Sequence, residues 1–261
     1  MMRVGRFLFG AAAVLFLLAP LIAILPLAFT SSSMLTYPIP HLSTRWFEEL
    51  ATADAWHRSI VNSLIVGAGT TVLATVLGTL AALGLRRHIA LGSALRTLFL
   101  LPMVVPAVVL DIGLQILLAR LGLANTYAAV IVAHTVVAVP FVLVSIAALL
   151  DGIDQQVERA AASLGAAPAR VFLLVTMPLA MPGILSGAAL AFATSLDEVV
   201  LTLFVAGPNQ LTLARQMFSS IRENISPVIV AAAFLFIVGT VLVGGLLIAV
   251  RQRSIRTAAM P

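Results

Sequence analysis

The side chains able to do chemistry are few and unevenly placed. Asp197 and Glu198 stand together inside one long apolar run, and Asp111 stands inside another. A carboxylate at the centre of a membrane helix costs roughly 2.5–3.5 kcal/mol on insertion scales, so it normally faces a cavity, a partner or a path. Adjacent helical residues point about 100° apart. At most one of Asp197 and Glu198 can then face a path squarely, which leaves the other for Arg120, Arg215 or a neighbouring helix. His41, His57, His88 and His134 show no metal-ligand spacing and read as structural. The stretch "GILSG", Gly183 to Gly187, offers Ser186 as a nucleophile with His134 as a base. Small residues of this kind are common where membrane helices pack, and no oxyanion arrangement accompanies them.

Cysteine is absent, and all 15 basic residues are arginine. A phosphate loop of the form GxxxxGK[ST] and Schiff-base chemistry therefore have no lysine to use. Any ATP and magnesium that drive this protein must be bound by another chain; no cofactor or metal is expected in this one.

The elements that must carry these residues are greasy. Of 261 residues, 61% are hydrophobic and 10% charged, against roughly 25% charged in an average soluble domain. The chain is thus expected to be an all-α integral membrane protein. Six apolar runs can be marked, at about 7–29, 59–85, 97–118, 127–150, 179–205 and 227–250. The first, at 1.5 Å per residue, would reach about 34 Å, enough for a ~30 Å hydrocarbon core and longer than the apolar part of a signal peptide. Pro20 and Pro26 are expected to bend or end it.

Arginine sets the orientation. Arg3, Arg6, Arg86, Arg87, Arg96, Arg159, Arg170, Arg251, Arg253 and Arg256 fall on one side; Arg45, Arg58, Arg120, Arg215 and Arg222 fall on the other. The richer side is cytoplasmic by the positive-inside rule, which places both termini and the 151–178 segment there. Trp46, Phe47 and Trp56 then lie in an external segment, where an aromatic belt is expected. Gly67, Gly69, Gly78 and Gly84 crowd the second run. Packing inside the subunit and contact with another membrane subunit are both open readings of them. Gln210 to Ile225 reads as a short external helix, either interfacial or a docking edge.

The segment "DGIDQQVERAAASLGAAPARVFLLVTMP" is polar for so apolar a chain. Acidic residues open a helix from Asp154 to Leu164, Gly165 is placed to end it in a left-handed conformation, and Pro168 can start a second. Pro178 and Pro182 are expected to punctuate entry to the fifth run. The result is an elbow of two short helices meeting at Gly165. Val157, Ala160, Ala161 and Leu164 form its small-residue face.

This elbow resembles the EAA loop of permease subunits of binding-protein-dependent ABC importers of type I, with Gly165 and Pro178 thirteen apart. The family's glutamate stands six before the glycine. Here that position is Arg159, and Glu158 stands seven before. The stretch "SLDEVVLTLFVAGPNQLTLARQMFSSIRENISP", with "STRWFEEL" and the second run, is similar to the spermidine/putrescine-type permeases.

The resemblance implies a type I permease fold forming one translocation domain over 1–261, in a bacterial inner membrane. It implies no catalysis by this chain. It further implies a second, non-identical permease, two ATP-binding subunits and an extracytoplasmic substrate-binding protein. The elbow residues Glu158, Arg159, Ala160, Ala161, Gly165, Ala166, Pro168 and Pro178 would couple to the ATPase, with the register of the Glu158 and Arg159 contacts open. Asp111, Asp197 and Glu198 would line the path of a polyamine or related cationic amine. An amino-acid derivative, an opine or a metal complex is the alternative cargo within the same class, and an ion-coupled carrier is the alternative outside it. Carrier folds commonly show internal repeats, and none is evident between the halves of this chain.

Overall fold

The structure, a computed structural model, describes residues 2–86, 91–223 and 225–258. Arg87 and His88 lie outside the described residues. Helices account for nearly all of it: α1 Met2–Ile24, α2 Arg45–Thr52, α3 Asp54–Leu85, α4 Gly92–Leu100, α5 Ala107–Arg120, α6 Tyr127–Asp151, α7 Gln155–Ser163, α8 Pro168–Val171, α9 Met177–Asp197, α10 Val200–Val205, α11 Leu213–Glu223 and α12 Pro227–Ala258. Among the described residues the β structure is a single bridge between Thr30 and Leu42.

Contacts divide the chain into two compact units, 1–57 with 216–239 and 58–215 with 240–261. In the first unit, α1 gives way at Pro26 to a 3-10 turn over Leu25–Phe29, while Pro20 is absorbed inside the helix. Phe7, Phe9 and Phe16 of α1 are exposed, as side chains meeting lipid would be. Phe29, Phe47 and Phe234 form a cluster with ring centroids 5.1–5.7 Å apart. Trp46 donates its indole N–H to Thr30 O at 2.8 Å. Trp46 and Trp56 are both buried. The expected aromatic belt is therefore not what these two indoles form; a buried indole nitrogen must find a partner, and for Trp46 the protein supplies one.

In the second unit, α6 is the central element and α3 and α9 pack along it. The close approaches come from missing side chains. A Cβ on Gly78 would lie 2.7 Å from Val142 Cβ, and one on Gly67 would lie 2.8 Å from the Phe192 ring. Gly67, Gly69 and Gly78 are thus spent on packing within the subunit, whereas Gly84 meets nothing within 4 Å. A second cluster joins Val66, Leu118, Ala129, Val130, Ala133, Leu201 and Val205.

Four helical stretches are long and apolar enough to cross a membrane: Gly5–Phe29, Asp54–Leu85, Tyr127–Asp151 and Pro168–Asp197. Two expected spans differ from the sequence reading. The third, 97–118, is not one helix. It breaks after the 3-10 turn Leu101–Met103, and the helices on either side are bent by 100°. Pro102 and Pro106 flank the break, where each removes a backbone donor and restricts the residue before it. The fifth, 179–205, begins earlier and stops sooner. Its helix runs from Pro168 to Asp197, with a π turn at Phe172–Thr176. It breaks at Glu198, whose backbone is extended at φ −77° and ψ 104°. Pro178 stands in the first turn of α9, directly after the π turn, and Pro182 is absorbed inside the helix. The sixth run is one helix, α12, whose stretch Pro227–Leu242 is the apolar part described.

Candidate functional site: the elbow and the broken span

The elbow is built by local rules. Asp154 caps α7, its Oδ1 accepting from Gln156 N–H at 2.8 Å. At the other end Gly165 has φ +86°. Gly165 N–H donates to Ala162 O at 3.0 Å and Ala166 N–H to Ala161 O at 3.2 Å. These are the two bonds of a Schellman termination, which needs a left-handed residue at that point. Pro168 then opens α8, where its missing N–H costs nothing. The second short helix is not free-standing, because α8 runs through the π turn into α9.

Residues 158 and 159 part company. Glu158 turns inward, and its Oε1 accepts from Arg86 Nη1 at 2.6 Å and from Thr176 Oγ1 at 2.8 Å. Arg86 Nη2 donates to Ile153 O at 2.9 Å. Arg159 and Ala160 are exposed, Leu164 is 89% exposed and Val157 48%. Ala161 and Ala166 are half-buried, and Pro168 and Pro178 are exposed. The roughly 100° step between neighbours thus gives Glu158 to the protein and Arg159 to the outside. Arg86 and Thr176 are not distinguishable in sequence. Arg86 looks like one more cytoplasmic arginine, and a pair separated by 72 residues leaves no local trace.

At the break in the fifth span, the carboxylates fall into three environments. Asp197 ends α9 and is exposed. Glu198 sits in the break, where its Oε1 accepts from Leu201 N–H at 3.0 Å at the start of α10. Asp111 on α5 is 2% exposed, and its Oδ2 is buried without a hydrogen-bond partner among the described residues. Glu198 is near enough to act on it electrostatically. The expected alternative partner, Arg215, is occupied elsewhere. Its Nη1 donates to Thr202 O and Ala206 O at 3.0 and 3.1 Å, capping the end of α10.

His134 holds the break from α6. Its Nδ1 lies 2.9 Å from Ser195 Oγ and its Nε2 3.1 Å from Thr202 Oγ1. Thr202 spends its own proton on Glu198 O at 2.9 Å. Nε2–H must therefore donate to Thr202, and Nδ1 accepts from Ser195. Ser186 donates to Pro182 O, so the structure does not join Ser186 and His134 as nucleophile and base. The loop after α10 is pinned too. Asn62 Nδ2 donates to Asn209 O and Leu211 O, both at 2.9 Å, and Tyr127 donates to Asn62 Oδ1 at 2.7 Å.

Comparison with known proteins gives this geometry a family. The family described as "Binding-protein-dependent transport system inner membrane component" matches residues 74–256. The putrescine transport system permease protein PotI of Escherichia coli K12 is 35% identical over 237 residues, covering 88% of this chain and 84% of that protein. The molybdenum transport system permease protein ModB of Mycobacterium bovis is 40% identical over 179 residues, covering 63% and 67%. A bacterial alginate ABC transporter, solved with a pentasaccharide-bound periplasmic protein, has a chain of similar fold. The TM-score is 0.71 at 17% identity, over 99% of this chain and 96% of that one. The helical chain with its elbow and broken apolar spans is a member of the inner-membrane components of binding-protein-dependent transport systems.

Proposed function

We propose that this chain is one of two membrane halves of an ATP-driven importer whose cargo is a di- or polyamine. In this reading residues 1–261 act as one permease unit that crosses the membrane six times, with both termini in the cytoplasm. Its partners are a second permease, two ATPases that bind ATP and magnesium, and an extracytoplasmic receptor. The elbow, from Glu158 through Pro178, is the handle on which the ATPase pulls. Arg159, Ala160 and Leu164 face the motor, and Gly165 with Pro168 shapes the bend. Closure of the ATPases would shift the handle as a rigid body.

The cargo reading rests on one observation. Asp197 and Glu198 stand at a helix break within apolar sequence, Asp111 is buried on α5, and among the described residues the ion pair present is elsewhere, between Arg86 and Glu158. Negative charge left uncompensated at membrane depth favours a passing cation. Asp197 is the open carboxylate and the one assigned to cargo; Glu198 holds the start of α10, and Asp111 stays buried on α5. The putrescine system named for the 35% identical relative supports the same class.

The test is uptake of radiolabelled putrescine by the complete transporter in proteoliposomes. Asp197→Asn is expected to lower uptake about tenfold, a loss of order 1.4 kcal/mol. Normal uptake and normal stimulation of ATP hydrolysis in both Asp197→Asn and Glu198→Gln would overturn the cargo assignment. The 40% identity to a molybdenum permease carries the second reading, a metal complex. ATP-dependent uptake of a molybdenum salt by the same proteoliposomes, with none of putrescine, would favour it.

A further inference from the structure

We infer that Arg86 and Thr176 are positioning residues that fasten the elbow, through one oxygen of Glu158, to the two transmembrane helices it has to move. The inference rests on the reading of the elbow as the ATPase handle and says how a pull on it reaches the membrane.

Three separate segments meet at Glu158 Oε1. Glu158 belongs to α7; Arg86 lies one residue past the end of α3; Thr176 closes the π turn that leads into α9. The same guanidinium holds Ile153 O, in the link between α6 and α7. The side chains of Arg86 and Glu158 are 12% and 26% exposed, so the pair is largely out of water, where such contacts are stronger than on an open surface. A guanidinium bridging two acceptors also fixes direction, which a single charge contact does not.

Apart from this tie, α7 is held by its chain ends and by packing on α8 and the π turn, contacts that carry no fixed direction. The tie adds a directional, hydrogen-bonded route for a force on Arg159 or Leu164. With the tie in place, the force passes to α3 through Arg86 and to α9 through Thr176. Glu158 therefore serves inside the subunit, while its neighbour Arg159 faces the motor.

The discriminating quantity is cargo moved per ATP hydrolysed, because a fold defect or a docking defect lowers both together. In the assembled transporter, with putrescine as probe, Arg86→Ala is expected to keep ATP hydrolysis and lower the ratio about tenfold. Exchanging the charges, Arg86→Glu with Glu158→Arg, is expected to recover about threefold or more of that loss. Thr176→Val removes one bond only and is expected to lower the ratio about two- to threefold. A ratio within about twofold of wild type in Arg86→Ala, or no recovery in the exchanged pair, overturns the inference. If Arg86→Ala does not assemble, Thr176→Val decides, and an unchanged ratio there overturns it. The chain has no native cysteine, so Leu164→Cys can report docking separately by cross-linking to the ATPase. No capture there removes the handle reading itself. Capture with an unchanged ratio removes only the tie.

Discussion

Glu198 places a charge in an apolar span and uses it to hold backbone. Its carboxylate accepts from Leu201 N–H, its carbonyl takes the Thr202 hydroxyl, and Thr202 in turn accepts from His134. Each of these groups would otherwise lie unpaired where water is scarce, which is the costly condition for a polar atom. Glu198→Ala is expected to destabilise the protein by about 1–2 kcal/mol, the range for a lost cap. Glu198→Gln keeps an oxygen acceptor and is expected to lose less than about half of that. Thermal unfolding in detergent measures both, and equal losses would contradict the capping role. Asp197, one residue away, has no such duty in the described structure, which is why the two neighbours are separable by mutation.

At the level of elements, the two glycine uses in this chain have different costs. Gly165 terminates α7 at φ +86° with open space around its Cβ position, so Gly165→Ala is expected to cost about 1 kcal/mol in backbone strain alone. Gly78→Ala would force a Cβ against Val142 and is expected to cost about 1–3 kcal/mol in packing. The first should weaken stimulation of the ATPase with little change in melting temperature, and the second should lower the melting temperature. The elbow is legible in the amino-acid sequence because capping and termination are local: Asp154, Gly165 and Pro168 each state a backbone requirement. The fourth span is legible for a similar reason, a long apolar run begun by the Thr126 cap. The breaks are not. Hydropathy registers how apolar a run is and says nothing of its direction, so the 100° bend after Met103 is hidden inside one continuous run. The break at Glu198 has neither proline nor glycine beside it, and tertiary hydrogen bonds from α6 hold it open.

For the whole molecule, the arginine distribution predicts which side of the membrane each end of the second unit meets. Single cysteines test it directly in a chain that has none. Leu164 and Asn209 are both exposed. Leu164→Cys is expected to react with a membrane-impermeant thiol reagent only after cells are opened, and Asn209→Cys in intact spheroplasts. The reverse pattern would invert the topology and take the elbow away from any cytoplasmic motor.

The turn at Phe172–Thr176 carries Met177 N–H back to Phe172 O, five residues rather than four. That surplus residue introduces a phase lag of about 100° between the two ends of one continuous rod. A helical wheel drawn upward from Pro168 will therefore name the wrong side of α9, and one drawn downward from Asp197 will name the wrong side of α8. Deleting one residue within the turn would restore ordinary winding and swivel Arg170 away from its present bearing, leaving composition and hydropathy almost untouched.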